Sequence, residues 1–269
     1  MVALANLLST SVHWHGVSQM GTNNMDGVNG VTECPLAPGQ SKTYTFLATQ
    51  YGTTWYHSHF SSQYGDGVLG PIVINGPASQ NYDVDLGVLP ITDWYYTAAQ
   101  QLDYRLAPTG NLPPVADNGL INGTMVGPSG SGGKYNVNTM QAGKTYRLRL
   151  VNTAVDNHFR VSLDGHLMTV VQADFVATEP YTTDWLFVAI GQRYDVLIHA
   201  NQTVGNYWFR AQVQSLCGDN ANSSKLHQSR DEFIANTMQT TSSLSSRTRV
   251  HQAATLTHLQ AITPRAVMT

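Results

Sequence analysis

Apolar and polar positions alternate with period two over much of the chain. In KTYTFLA, Tyr44 and Phe46 fall on one side, with Thr43 and Thr45 on the other. TYRLRLVN sets Tyr146, Leu148 and Leu150 against Arg147 and Arg149, and RYDVLIHA aligns Tyr194, Val196 and Ile198. Residues two apart share a face of a strand, so such runs predict half-buried β-strands. Turn signals such as LAPGQ, NGP and GSGGK separate them, and no long segment has helical periodicity. Many short strands between regular turns predict an all-β sandwich or barrel rather than alternating strands and helices.

GPIVINGPASQNYD reads as a boundary, with an apolar strand at 71–74 followed by a polar stretch. The expected organisation is a β-unit over 1–78 and a second over 79–222. After them comes a divergent, disordered tail over 223–269, rich in Ser, Thr, Gln and Ala and without alternation. LAPGQSKTYTF and MQAGKTYRLRL, one in each unit, resemble each other as an internal repeat would.

Composition narrows the partners. Only 12% of the 269 residues are charged and the net charge is −3, so the chain offers no basic surface to nucleic acid or to a membrane. No run approaches the roughly 18 apolar residues of a membrane span, and an apolar content of 42% supports a sizeable core. MVALANLLSTSV lacks the basic start of a secretory signal. Asn-x-Ser/Thr sequons at Asn122, Asn201 and Asn222 nonetheless favour an extracellular setting. Cys34 and Cys217 read equally as two thiols or as one long-range disulfide.

The chemistry concentrates in two His-x-His pairs, HWHG at 13–16 and HSH at 57–59. On a strand His13 and His15 point together while Trp14 faces across the sheet, and His57 and His59 do the same around Ser58. Adjacent strands carrying these pairs would converge four imidazoles. Neutral imidazole suits copper, zinc, iron and nickel, and no cysteine or carboxylate cluster accompanies the pairs. One such pair is usually filler. Two, each beside aromatic and glycine residues, favour a metal site. A zinc hydrolase is a weaker alternative, since it calls for ligand carboxylates that are not found.

HWHG, WYHSH and GDGVLGPIVI together resemble the multicopper oxidases, and among them the fungal laccases of ascomycete type. The resemblance runs through LPITDWYY, NGLINGT, YRLRLVNTAVDNHFRVSLDGH, GQRYDVLIHA and NYWFRA, to about residue 220. It implies cupredoxin-like Greek-key β-sandwiches, two of the family's three domains. It also implies copper as cofactor, with His13 as a type 2 ligand and His15, His57 and His59 as type 3 ligands. Asp26, in NNMDGVNG, matches a carboxylate that helps deliver protons to dioxygen; a solvated turn aspartate is the plainer reading. Asp156 falls where an acidic residue sits beside the phenol-oxidising pocket, or is simply a polar loop residue. His158 and His166 match no copper ligand.

The implied reaction is one-electron oxidation of phenols or aromatic amines coupled to reduction of dioxygen to water. The parent protein would be monomeric, secreted and glycosylated. The family's trinuclear cluster takes eight histidines, and this chain supplies four. Type 1 copper ligands are missing: neither a His-Cys-His segment nor HPxHLHG is present, and His227, His251 and His258 fit neither. The expectation is therefore a fragment that binds copper weakly, leaves apolar interface exposed and is inactive alone. Cys34 and Cys217 would be orphans, each with its partner elsewhere in the parent. A non-catalytic copper-binding β-module is the other surviving alternative.

Overall fold

The computed structural model describes residues 8–106, 114–127 and 132–214, and the backbone of 233–241 and 265–268. The first unit contains β1 (His13–Trp14), β2 (Lys42–Thr45), β3 (Gly52–His57) and β4 (Leu69–Ile74). Next come β5 (Val84–Trp94), helix α1 (Ala99–Leu106), β6 (Asn118–Ile121), β7 (Val137–Gln141) and β8 (Thr145–Asn152). The second unit continues with β9 (His158–Leu163), β10 (Met168–Ala173), β11 (Val176–Thr183), β12 (Leu186–Val188), β13 (Arg193–His199) and β14 (Asn206–Gln214). Within the stretch from 223 onward the backbone forms β15 (Phe233–Thr241) and β16 (Arg265–Met268). The rest of that expected tail lies outside the described residues.

Two sheets build the second unit, a six-stranded one in the order β11-β10-β13-β8-β5-β6 and a five-stranded one in the order β12-β9-β14-β15-β7. Pairing is antiparallel except for β5 with β8 and β15 with β7. The alternation predicts a sandwich or barrel, and this is the cupredoxin-like sandwich that the resemblance implies. Its core comes from the facing alternate positions: Leu89, Ile91, Leu148, Leu150 and Val196 from one sheet, Phe159, Val161, Leu163 and Phe209 from the other. Burying an aliphatic or aromatic side chain of this size is worth about 1.5–3 kcal/mol.

The other face of the six-stranded sheet corrects the half-buried reading of TYRLRLVN. Arg147 and Arg149 are only 2% and 4% exposed. First-unit strand β3 covers them, and charge is matched there by Asp195, itself 1% exposed. Asp195 accepts from both nitrogens of Arg147 that face it, from Arg149 Nη1 at 3.0 Å and from the Thr53 hydroxyl at 2.5 Å. Arg149 is shared with Asp85 and Arg147 with Gln172, whose amide donates to the Tyr51 carbonyl at 2.8 Å. Buried charges survive only when paired this completely.

The first unit has β1, β3 and β4 in one sheet and β2 paired with the backbone of β16. Val12, Trp14, Val17, Tyr44 and Phe46 form its core. The Trp14 ring lies edge-on to Tyr44 at 5.5 Å and tilted on Phe46 at 5.3 Å. Helix α1 has eight residues, too few for its periodicity to register in the sequence. It is tied to the segment after the second histidine pair: Asp66 accepts the Ala99 N–H at 2.7 Å, and Asp103 accepts the Ser61 and Ser62 hydroxyls at 2.6 and 2.5 Å.

Candidate metal centre

Strand register brings the histidine pairs together. β1 and β3 are antiparallel with His13 directly opposite His57. His15 follows β1 and stays tied to β3, its N–H donating to the Trp55 carbonyl at 3.0 Å and its carbonyl accepting the Thr54 hydroxyl. Ser58 faces away from the rings, as period two requires. Its hydroxyl donates to Gln63 Oε1 at 2.6 Å, the same oxygen that accepts from Thr10 at 2.7 Å. Ser11 Oγ accepts the His59 N–H at 3.2 Å. A small hydrogen-bonded cluster thus fixes the HSH turn from behind.

The His13 ring lies at the middle, with centroids of His15, His57 and His59 at 5.9, 5.3 and 5.5 Å. One ring nitrogen from each of His13, His15 and His57 lies within 4.8 Å of the others. His59 is exposed at the rim, 5.8 Å from His57.

Hydrogen bonds decide which nitrogen each ring presents. His13 Nδ1 is 2.9 Å from the Asp26 carbonyl, and His57 Nδ1 is 3.0 Å from the Ser58 carbonyl. A carbonyl only accepts, so both Nδ1 atoms carry hydrogen and both Nε2 atoms keep a lone pair. His15 is the exception: its Nδ1 is the atom facing the others, 3.3 Å from His57 Nε2. Burial holds His15 down to about 3, with the Arg193 guanidinium and the other histidines adding to it. Burial likewise lowers His57 to about 4, against a raising bond to Ser58. Both imidazoles are therefore uncharged at neutral pH, the form that binds metal. Trp55 stacks on both, at 5.0 Å from His15 and 4.2 Å from His57.

Asp26 reaches the centre as well, its Oδ1 3.3 Å from His13 Nδ1. It caps the short 23–25 turn and precedes Gly27, which has φ of +81°. A Cβ on Gly27 would stand 1.7 Å from the Val12 carbonyl oxygen, so only glycine lets this turn lie against the strand leading into His13.

Asp156 is held elsewhere, in the loop joining β8 to β9. That loop wraps the buried Asp93 carboxylate, which accepts N–H groups from Val155, Asp156 and Asn157 at 2.9, 2.9 and 3.1 Å. Asp93, Asp103 and Asp156, after burial, raise the hydroxyl pKa of Tyr64, whose ring lies 5.3 Å from His57. His158 accepts the Ile190 N–H at 3.2 Å, and His166 is buried against Tyr207. Asn122 is exposed in a turn, and Asn201 is exposed in the loop after β13. Cys34 is free and exposed; Asn222, Cys217, His227, His251 and His258 lie outside the described residues. Among the described residues no helix is long and apolar enough to cross a membrane.

The sequence reading passed over Gly27, Asp93, Gly191 and Arg193. A Cβ on Gly191 would lie 2.7 Å from His15 Cε1, and Arg193 Nε donates to the Thr53 carbonyl at 3.0 Å. The signal available was GQRYDVLIHA, which sets a glycine and an arginine at the entry to a buried strand.

A cupredoxin-like fold that brings half-buried and buried histidines together defines a protein with a nitrogen-donor cluster that could hold a metal ion. The donor set fits copper, being nitrogen-only with one ring nitrogen of each histidine turned toward the others. Two multicopper oxidase models match, over residues 85–234 and 2–79, and the chain belongs to the multicopper oxidase family. It is 64% identical over 218 residues to Laccase-3 of Botryotinia fuckeliana, covering 81% of this chain and 48% of that one. It is 56% identical to a laccase of Neurospora crassa, covering 79% of this chain and 35% of the relative. The crystal structure of the laccase from Botrytis aclada superposes with a TM-score of 0.78 at 42% identity, over 92% of this chain and 47% of that one. The chain therefore spans half or less of the length of these laccases.

Proposed function

We propose that this chain carries four histidine ligands of the oxygen-reducing copper centre of a laccase. The observation that carries the reading is the convergence of ring nitrogens from His13, His15 and His57 within 4.8 Å, across a register that pairs the two motifs. His13 would serve the type 2 copper through Nε2. His15 through Nδ1, His57 through Nε2 and His59 would serve the type 3 pair. Bound copper supplies the one-electron redox steps by which a laccase oxidises phenols or aromatic amines and passes four electrons, with four protons, to dioxygen to give water.

The chain's own residues then have distinct tasks. The Asp26 carbonyl holds His13 in the tautomer that leaves Nε2 free, and the Asp26 carboxylate, 3.3 Å from His13 Nδ1, would pass protons toward the centre. Burial and the Ser58 carbonyl keep His57 neutral and aimed. Asp156 would accept the proton of a phenol as it loses an electron. No cysteine here has a histidine neighbour, so electron entry through a type 1 site would use residues outside this chain. The parent is a secreted, glycosylated monomer on this reading.

Titrating the purified chain with Cu(II) and recording its electron paramagnetic resonance spectrum tests the assignment. The expected signal carries nitrogen splitting, is lost in the His13→Ala/His57→Ala double variant, and is accompanied by no oxidation of a phenolic dye. Copper binding that survives the double variant overturns the assignment; so does a preference for zinc with ester hydrolysis.

A further inference from the structure

The ligands all come from the first unit, yet one of them is seated by the second. The turn between β12 and β13 brings Gly191 against the His15 ring. With φ of +75° and no side chain, Gly191 leaves room for the ring; a Cβ would stand 2.7 Å from Cε1 and 2.9 Å from Nε2. The Nε2 edge of His15 is therefore packed on the backbone of the second unit, and the Nδ1 edge is the one left to face His57.

Arg193 fastens this turn in place. Its Nε donates to the Thr53 carbonyl of β3 at 3.0 Å, and Nη1 donates to the Gly191 carbonyl at 3.3 Å and pairs with Asp174 at 2.8 Å. The same guanidinium lies under Gly16, where a Cβ would meet Nη2 at 2.7 Å. Arg193 thus touches the residue after His15, the strand opposite it and the turn that walls its ring. Gly16 and Gly191 both lack side chains where this packing is tightest.

We propose that Gly191 and Arg193 are positioning residues of the copper centre: together they fix the His15 ring so that Nδ1, and not Nε2, is presented to the metal. This rests on the reading of the histidine cluster as a copper site, but the ring's orientation can be measured without copper. In the metal-free protein His57 Nε2 carries no hydrogen, so the 3.3 Å contact is made by a hydrogen on His15 Nδ1. The Nδ1 edge turned toward His57 is what favours that tautomer here.

The test is nitrogen-15 NMR of the histidine rings in the full 269-residue chain, metal-free at neutral pH, alongside Cu(I) affinity by competition with a chromophoric chelator. Wild type is expected to show His15 as a single Nδ1–H tautomer. Gly191→Ala is expected to lose it to a mixture or to Nε2–H, and to bind Cu(I) about 10–100-fold more weakly. Gly143→Ala is the control for backbone strain alone, because Gly143 has φ of +81° and nothing within 4 Å of its Cβ position; it should keep the wild-type tautomer. Arg193→Lys keeps the charge but gives up the three-way fastening, and should shift the tautomer in the same direction. It also decides the matter if Gly191→Ala does not fold. An unchanged His15 tautomer in the folded variants overturns the inference. If wild type binds no Cu(I) while the tautomer responds as described, the positioning role stands and the copper assignment fails.

Discussion

Replacing Asp195 by alanine tests the contact between the two units most directly. The carboxylate is 1% exposed and is the shared acceptor for Arg147, Arg149 and the Thr53 hydroxyl. Without it Arg149 retains Asp85, but Arg147 keeps only neutral partners, Gln172 and Tyr82. Removing one partner of a buried ion pair costs about 3–5 kcal/mol, chiefly because the other charge stays buried. For a chain of this size each kcal/mol moves the melting temperature by roughly 2–4 °C, so the expected drop is roughly 6–20 °C. Urea unfolding followed by tryptophan fluorescence and circular dichroism gives the free energy directly, read at constant m-value. Asp195→Asn, which keeps the shape but not the charge, should recover only part of the loss. A cost below about 1 kcal/mol for the alanine variant would refute a closed, water-excluded charge network between β3 and β8.

Two further outcomes follow from the centre itself. His15 and His57 are held near 3 and 4, below the ordinary 6.5, so the unfolded chain binds more protons than the folded one at intermediate pH. Metal-free stability should therefore be full above about pH 6.5 and fall as pH drops toward 4. The slope is at most about 2.7 kcal/mol per pH unit from the two groups; a flat profile between pH 7 and 5 contradicts their burial. Gly27→Ala must force Asp26 or β1 to move, whereas Gly30→Ala, at φ of +77° with open space around it, meets backbone strain alone. The first should cost clearly more than the second and broaden the His13 ring signals; equal costs in chemical denaturation would mean that the Gly27 turn does not support the strand.

The sequence was most legible where one residue type has one physical use. Alternation located Tyr44, Leu148 and Val196, and the period-two spacing of His13 with His15 and of His57 with His59 placed each pair on one side. Polar residues on the opposite face were misread. Arg147 and Arg149 alternate with leucine and tyrosine in the same way whether that face meets water or another unit, and only the partner across the interface decides. Asp93 was hidden for a related reason: three of its donors are main-chain N–H groups of a loop about sixty residues on, and main chain leaves no mark in a sequence. Gly191 looks like any turn glycine until His15 is seen against it. Asp26 and Asp156 were found together by resemblance, and the fold separates them, one beside His13 and the other on the loop around Asp93.

The wall that Gly191 and Arg193 build has a consequence for modularity. A stretch ending near Ile74 would carry His13, His15, His57 and His59 to any new scaffold. It would not carry the surface that aims His15 or the Asp195 network that braces Thr53. The four histidines are portable and their geometry is not. Shuffling first units between relatives should therefore succeed only when the β12–β13 turn travels with them.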